Sequence, residues 1–89
     1  MTDFVQRVLE VYQDDQEIGA LTVSFAKPVP VDGDPEGDEW ECVYRIVGMG
    51  VEMEKRAFGS DGLQALQLAL QGAEANLGVV EREKGWRVK

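Results

Sequence analysis

Apolar and polar residues alternate along most of this chain, and then the period changes. Residues 20–26, ALTVSFA, put Leu21, Val23 and Phe25 on one side and Thr22 and Ser24 on the other, the pattern of a half-buried strand. Residues 40–47, WECVYRIV, alternate again, with Trp40, Cys42, Tyr44 and Ile46 on one face and Glu41, Val43, Arg45 and Val47 on the other. Gly48-Met49-Gly50 reads as a turn and residues 51–58 as the returning strand. Residues 4–13 fit two periods. Phe4, Val5, Val8, Leu9 and Tyr12 make a helical stripe, yet Val8, Val11 and Tyr12 favour strands and the segment runs into the turn-like polar stretch DDQEIG. Strand is the preferred reading there, with helix left open.

From residue 61 the period becomes helical. DGLQALQLALQGAEANLGVV carries one charged residue after its cap, Glu74. A helix so poor in charge is not a free surface helix and needs a sheet against it. Asp61 is the natural N-cap, with Gln64 as capping-box partner. The end is either at Gly78 or, if the helix runs on to Lys84, at Gly85. Leu63, Leu66, Leu70, Ala73 and Leu77 share one stripe, expected to face the sheet. Ala65, Leu68, Gly72 and Ala75 make a second face of small residues around one leucine, and they are the candidate interaction residues for a second copy or a partner helix. The competing expectation covers that face with the N-terminal segment or with the tail, where Trp86 and Val88 pack back or form a short edge strand.

Residues 27–39, KPVPVDGDPEGDE, hold all three prolines and a run of acids, the composition of an exposed loop. Asp32, Asp34 and Glu36 place carboxylates as a Ca²⁺ loop does, with Gly37 following. The match then fails, because Val43 stands where the closing Glu is needed, Pro35 interrupts the loop and no helices flank it. These three residues are weak metal candidates only, and a solvated hairpin loop is the plainer reading.

Charge narrows the partners. Seventeen acidic against nine basic residues give a net charge of −8, which disfavours nucleic acid and anionic membranes. There is no histidine, so the commonest general base and metal ligand is missing. The one cysteine, Cys42, lies on the apolar strand face and reads as an inert core thiol. Gly48-x-Gly50 lacks the helix and lysine of a phosphate loop. Neither a signal peptide nor a membrane span is recognisable, so a cytoplasmic location is expected. At 89 residues the chain is expected to form one domain with a thin core, for which self-association would add buried surface.

The run Trp40-Glu-Cys42-Val-Tyr44-Arg-Ile46-x-Gly48, then Arg56-Ala-Phe58-Gly59-Ser-Asp61-Gly62-Leu-Gln64-Ala-Leu66 and Leu68-Ala-Leu70, resembles a group of small bacterial proteins, the DUF6968-like family. Their pattern is roughly W-x-C-x-[FY]-x-I-x-G, followed by [AF]-[YF]-G-x-D-S-x-Q-A-L-x-L-A-L. The resemblance covers about residues 20–77, and this chain departs from it with Gly62 in place of Ser. It implies a small antiparallel sheet followed by one long helix, favours strand for residues 7–12, and carries over no activity, ligand or site.

Together these readings predict an α+β domain, a four-stranded antiparallel meander packed by one long C-terminal helix, with no cofactor. The expected function is non-enzymatic protein interaction, as a homodimer or as an acidic binder of the inhibitor or immunity kind. The alternatives are a small-ligand protein or small enzyme using a pocket between helix and sheet, and Ca²⁺ binding by the 32–37 loop.

Overall fold

The computed structural model describes residues 3–33 and 36–89. Two long strands, β1 (Asp3–Gln13) and β2 (Gln16–Ala26), form the first hairpin. After a two-residue strand β3 (Val29–Pro30) come β4 (Trp40–Gly48) and β5 (Val51–Gly59), the second hairpin. Helix α1 (Gly62–Lys84) and a two-residue strand β6 (Arg87–Val88) complete the chain.

The ambiguous N-terminal segment is thus a strand, as its β-branched residues favour. The polar stretch after it is mostly strand too. Only Asp14 and Asp15 turn, with φ of 50° and 63°, and β2 begins at Gln16. Aspartate tolerates the left-handed region, and two such residues match the twist of a tight hairpin. Met49 and Gly50, at φ 51° and 81°, turn the second hairpin in the same way.

The long strands lie in chain order, β1-β2-β4-β5, all antiparallel. The expected meander is there, but among the described residues the sheet has six strands rather than four. The proline-rich segment is not wholly loop. After Pro28 breaks the line of β2, β3 returns to pair with Trp40 and Glu41, and the Val31 amide donates to the Glu39 carbonyl at 2.9 Å. At the other edge β6 pairs with Val11 and Tyr12 of β1.

One sheet face carries the core. Val11, Leu21, Val23, Phe25, Cys42, Tyr44 and Ile46 are buried there beneath α1. The helix packs mainly on β4 and β5. Its start is capped as expected, with the Gln64 amide donating to Asp61 Oδ1 at 2.8 Å. The reciprocal bond shifts by one residue, because Gln64 Oε1 accepts from the amide and the hydroxyl of Ser60. The helix ends at Gly85, whose φ of 71° and N–H to Glu81 carbonyl bond close the last turn.

The orientation of the helix departs from expectation. The buried line is Ala65, Ala69, Ala73 and Val80. Leu63 is 67% exposed and Leu70 48%. Ala65, assigned above to an interaction face, is fully buried, and Gly72 packs on Tyr44, where an added Cβ would stand 2.6 Å from the hydroxyl. At 100° per residue the two expected stripes are opposed, and the buried line bisects them, about 80° from each. Helix–sheet distance explains the choice. The sheet already presents Trp40, Tyr44 and Phe25, so alanine and glycine fill the remaining space and the leucines are displaced to one flank. Leu68 and Ala75 remain exposed on the other flank, without Ala65 and Gly72 beside them.

Candidate binding groove

That leucine flank overhangs the part of the sheet that α1 leaves uncovered. Between them lies a groove of about 420 Å³. Its floor is Val23 and Phe25 of β2 with Arg7 and Leu9 of β1, and its wall is Leu70, Ala73 and Leu77 of α1. Glu74 and Glu81 stand along the helix side, and Val88 and Lys89 close one end. The size falls within the range of small-molecule and peptide sites, about 300–1,000 Å³, and the apolar lining with a few charges is typical of them.

The closed end is built by Glu81. Its carbonyl accepts from the amides of Gly85 and Trp86 at 2.9 and 3.1 Å, and its carboxylate accepts from the Val88 amide at 2.9 Å. The left-handed Gly85 reverses the chain, and Lys84 Nζ sits 5.9 Å from the Trp86 ring centroid. The tail then lies on the outer edge of β1, where Glu10 and Lys89 exchange both backbone bonds, at 3.0 and 2.9 Å. On the far side of the sheet Lys89 Nζ lies over the Tyr12 ring, 5.0 Å from its centroid. The Tyr12 hydroxyl donates to Glu10 and holds its carboxyl below the usual range, while Glu10 pushes the hydrogen-bonded Glu17 carboxyl up.

This docking stops at Glu10. No described strand pairs with β1 outward of Glu10, at residues 4–8. Backbone groups alternate sides along a strand, so Gln6 and Val8, in phase with Glu10, aim N–H and C=O away from β2. Phe4, Val5 and Val8 are exposed on this edge. A free strand edge therefore continues from β6 beside an open apolar groove.

The other candidates are dispersed. Asp32 and Glu36 are exposed, Asp34 lies outside the described residues, and no group of three metal-ligating side chains gathers among the described residues. A second hollow borders this loop, lined by Val29–Val31, Asp32, Glu41 and Arg56, with Arg56 Nη1 3.2 Å from Glu41 Oε2. Cys42 is buried away from both hollows. Its Sγ lies 3.4 Å from the Ala26 carbonyl, and burial pushes its thiol pKa up, so it is held protonated. The described groove lining has no hydroxyl, thiol or imidazole.

Arg7 and Glu81 were not singled out by sequence reasoning, and Leu9 entered only through the ambiguous stripe of residues 4–13. The readable signal was the flank formed by Leu63, Leu70 and Leu77 with Glu74, which is apolar and acidic at once. No helix is long and apolar enough to cross a membrane among the described residues.

The chain belongs to the family described as a domain of unknown function, DUF6968, which matches residues 5–89. The match takes in β1 and the tail, beyond the 20–77 segment that carried the resemblance. No curated protein and no solved structure matches the chain.

Proposed function

We propose that this domain is a non-enzymatic protein-interaction module that receives an extended segment of another chain on the outer edge of β1. One observation carries the reading: the unpaired edge at Gln6 and Val8 lies in line with β6 and beside the apolar groove. Main-chain bonds to an added strand supply affinity, and alternate side chains of that strand supply specificity by turning toward Leu70 and Leu77. The tail supports this reading, because it already uses the same edge in antiparallel pairing at Tyr12 and Val11. A cytoplasmic setting accords with the single, buried thiol.

The lining also bears on the alternative of a small enzyme. Catalysis there would fall to Glu74, Glu81 and Arg7, since the Lys89 amine lies over Tyr12 on the far side of the sheet. An apolar small ligand remains a second reading, favoured by the groove volume but leaving the strand edge without a role.

The experiment is selection from a phage-displayed random peptide library on the immobilised full chain. The expected result is enrichment of sequences with alternating apolar residues, whose binding is lost in Leu70→Glu. Failure to enrich, or binding indifferent to Leu70→Glu, overturns the proposal.

A further inference from the structure

Resting on the strand-addition reading, we infer that the segment added to β1 is β1 of a second copy, paired antiparallel about a two-fold axis at Gln6. Three observations lead there. The free edge is apolar: Phe4, Val5 and Val8 are 57%, 48% and 60% exposed, and Arg7 is the one charged residue between Phe4 and Leu9. Long exposed strands usually carry a proline, an inward charge or a covering element against self-pairing, and this stretch has none of them except the Arg7 charge. At this chain length, added buried surface is also worth more than in a larger domain.

The register follows from what is already occupied. Backbone pairing of the two strands must join residues whose groups point outward, in phase with Gln6 and Val8. Setting Gln6 against Val8 of the second copy would place Arg7 directly opposite Arg7, a like-charge pair, and would bring the second strand onto Glu10, where Lys89 already sits. Setting Val8 against Val8 would collide with Lys89 further still. Setting Gln6 against Gln6 avoids the like-charge pair, and the described part of the second strand, which starts at Asp3, then reaches only Leu9. It brings Val8 up to Phe4 of the second copy, twice by symmetry, and Arg7 opposite Val5. The window that β6 leaves free is the window this register uses. The contact is isologous and closes on itself, so it yields a dimer and not a filament.

The test is sedimentation equilibrium of the full chain at rising concentration, with Val8→Lys and, as a surface control, Phe58→Lys, whose side chain is exposed on β5. The expected result is a dimer that Phe58→Lys leaves intact and Val8→Lys weakens about tenfold or more, with circular dichroism unchanged. Because Val8→Lys bears on folding as well, a second measurement traps the geometry. Under mild oxidation Gln6→Cys should form an intermolecular disulfide faster than Gln13→Cys, in a chain whose native thiol is buried. A monomeric wild type, or equal trapping at the two positions, overturns the second copy as occupant. If selected peptides still bind that monomer at Gln6 and Val8, strand addition stands without self-pairing. If they do not, both fail.

Discussion

Asn76 Nδ2 donates to Tyr44 Oη at 2.9 Å, and the same amide donates to the Gly72 carbonyl, also at 2.9 Å. The bond ties the middle of α1 to strand β4, where the two elements approach closely. Gly72 makes that approach possible, since a Cβ there would stand 2.6 Å from the Tyr44 oxygen and 3.2 Å from Cζ.

Gly72→Ala should therefore lower stability by about 1–3 kcal/mol through overpacking, despite the better helix propensity of alanine. Tyr44→Phe alone should cost about 1 kcal/mol for the lost hydrogen bond. Removing the oxygen also removes the clash, so the double variant should be clearly more stable than the sum of the two predicts. Urea unfolding of the four proteins measures this, and strict additivity would show that the two residues do not meet.

The rotation of α1 gives a second contrast. Ala69 is fully buried and Leu63 is 67% exposed. Ala69→Leu should cost about 1–3 kcal/mol, and Leu63→Lys should stay within about 0.5 kcal/mol. Thermal unfolding of both variants is the check, and the reverse order would restore the leucine stripe as the buried face.

These contrasts mark what the sequence could and could not convey. Period-2 alternation at Leu21, Val23 and Phe25 and at Trp40, Cys42, Tyr44 and Ile46 located the core face, because a strand has only two sides to choose between. The cap at Asp61 was readable because it satisfies local backbone groups, whereas Gly78 and Gly85 both suit a helix end and the choice of Gly85 came only with the structure. The helix face was not readable, because hydrophobicity alone favours the leucines, whereas the sheet's aromatic residues had already filled the space and left room only for alanine and glycine. Groove and free edge were hidden for a related reason: both are what remains after α1 has settled over β4 and β5. The short strand β3 pairs across the proline-rich loop, so two residues could not announce it, whereas the tail's edge strand β6 was one of the two courses its sequence allowed.

Glu81 should act as the clasp of the tail. Glu81→Ala removes the acceptor of the Val88 amide and should cost about 1–2 kcal/mol, with faster hydrogen exchange at Val88 and Lys89. Exchange at Val23 should change far less. Equal acceleration throughout would mean that the side chain supports the whole fold and not the tail.

The carboxyls beneath the tail should titrate apart. Glu10 is held low, first by the Tyr12 hydroxyl, so its contribution is present above its unfolded pKa and is lost as pH falls through its folded one. Glu17 is pushed up by Glu10, so its contribution is present below its unfolded pKa and is lost as pH rises through its folded one. The two signs oppose, and the readout is site-resolved NMR titration in place of overall stability. Glu17 should titrate above Glu10, and Tyr12→Phe should raise Glu10. Coincident titration at ordinary values would show that the cluster does not form in solution.

The central claim is that the free edge of β1 and the groove beside it form one binding surface. The most direct measurement is NMR of the full chain, amide and methyl labelled, titrated with a peptide selected from the displayed library. Strand addition at this edge predicts slowed exchange at the Gln6 and Val8 amides together with shifts of the Leu70 and Leu77 methyl groups. Shifts confined to Leu68 and Ala75, or methyl shifts with the Gln6 and Val8 amides unprotected, would contradict it.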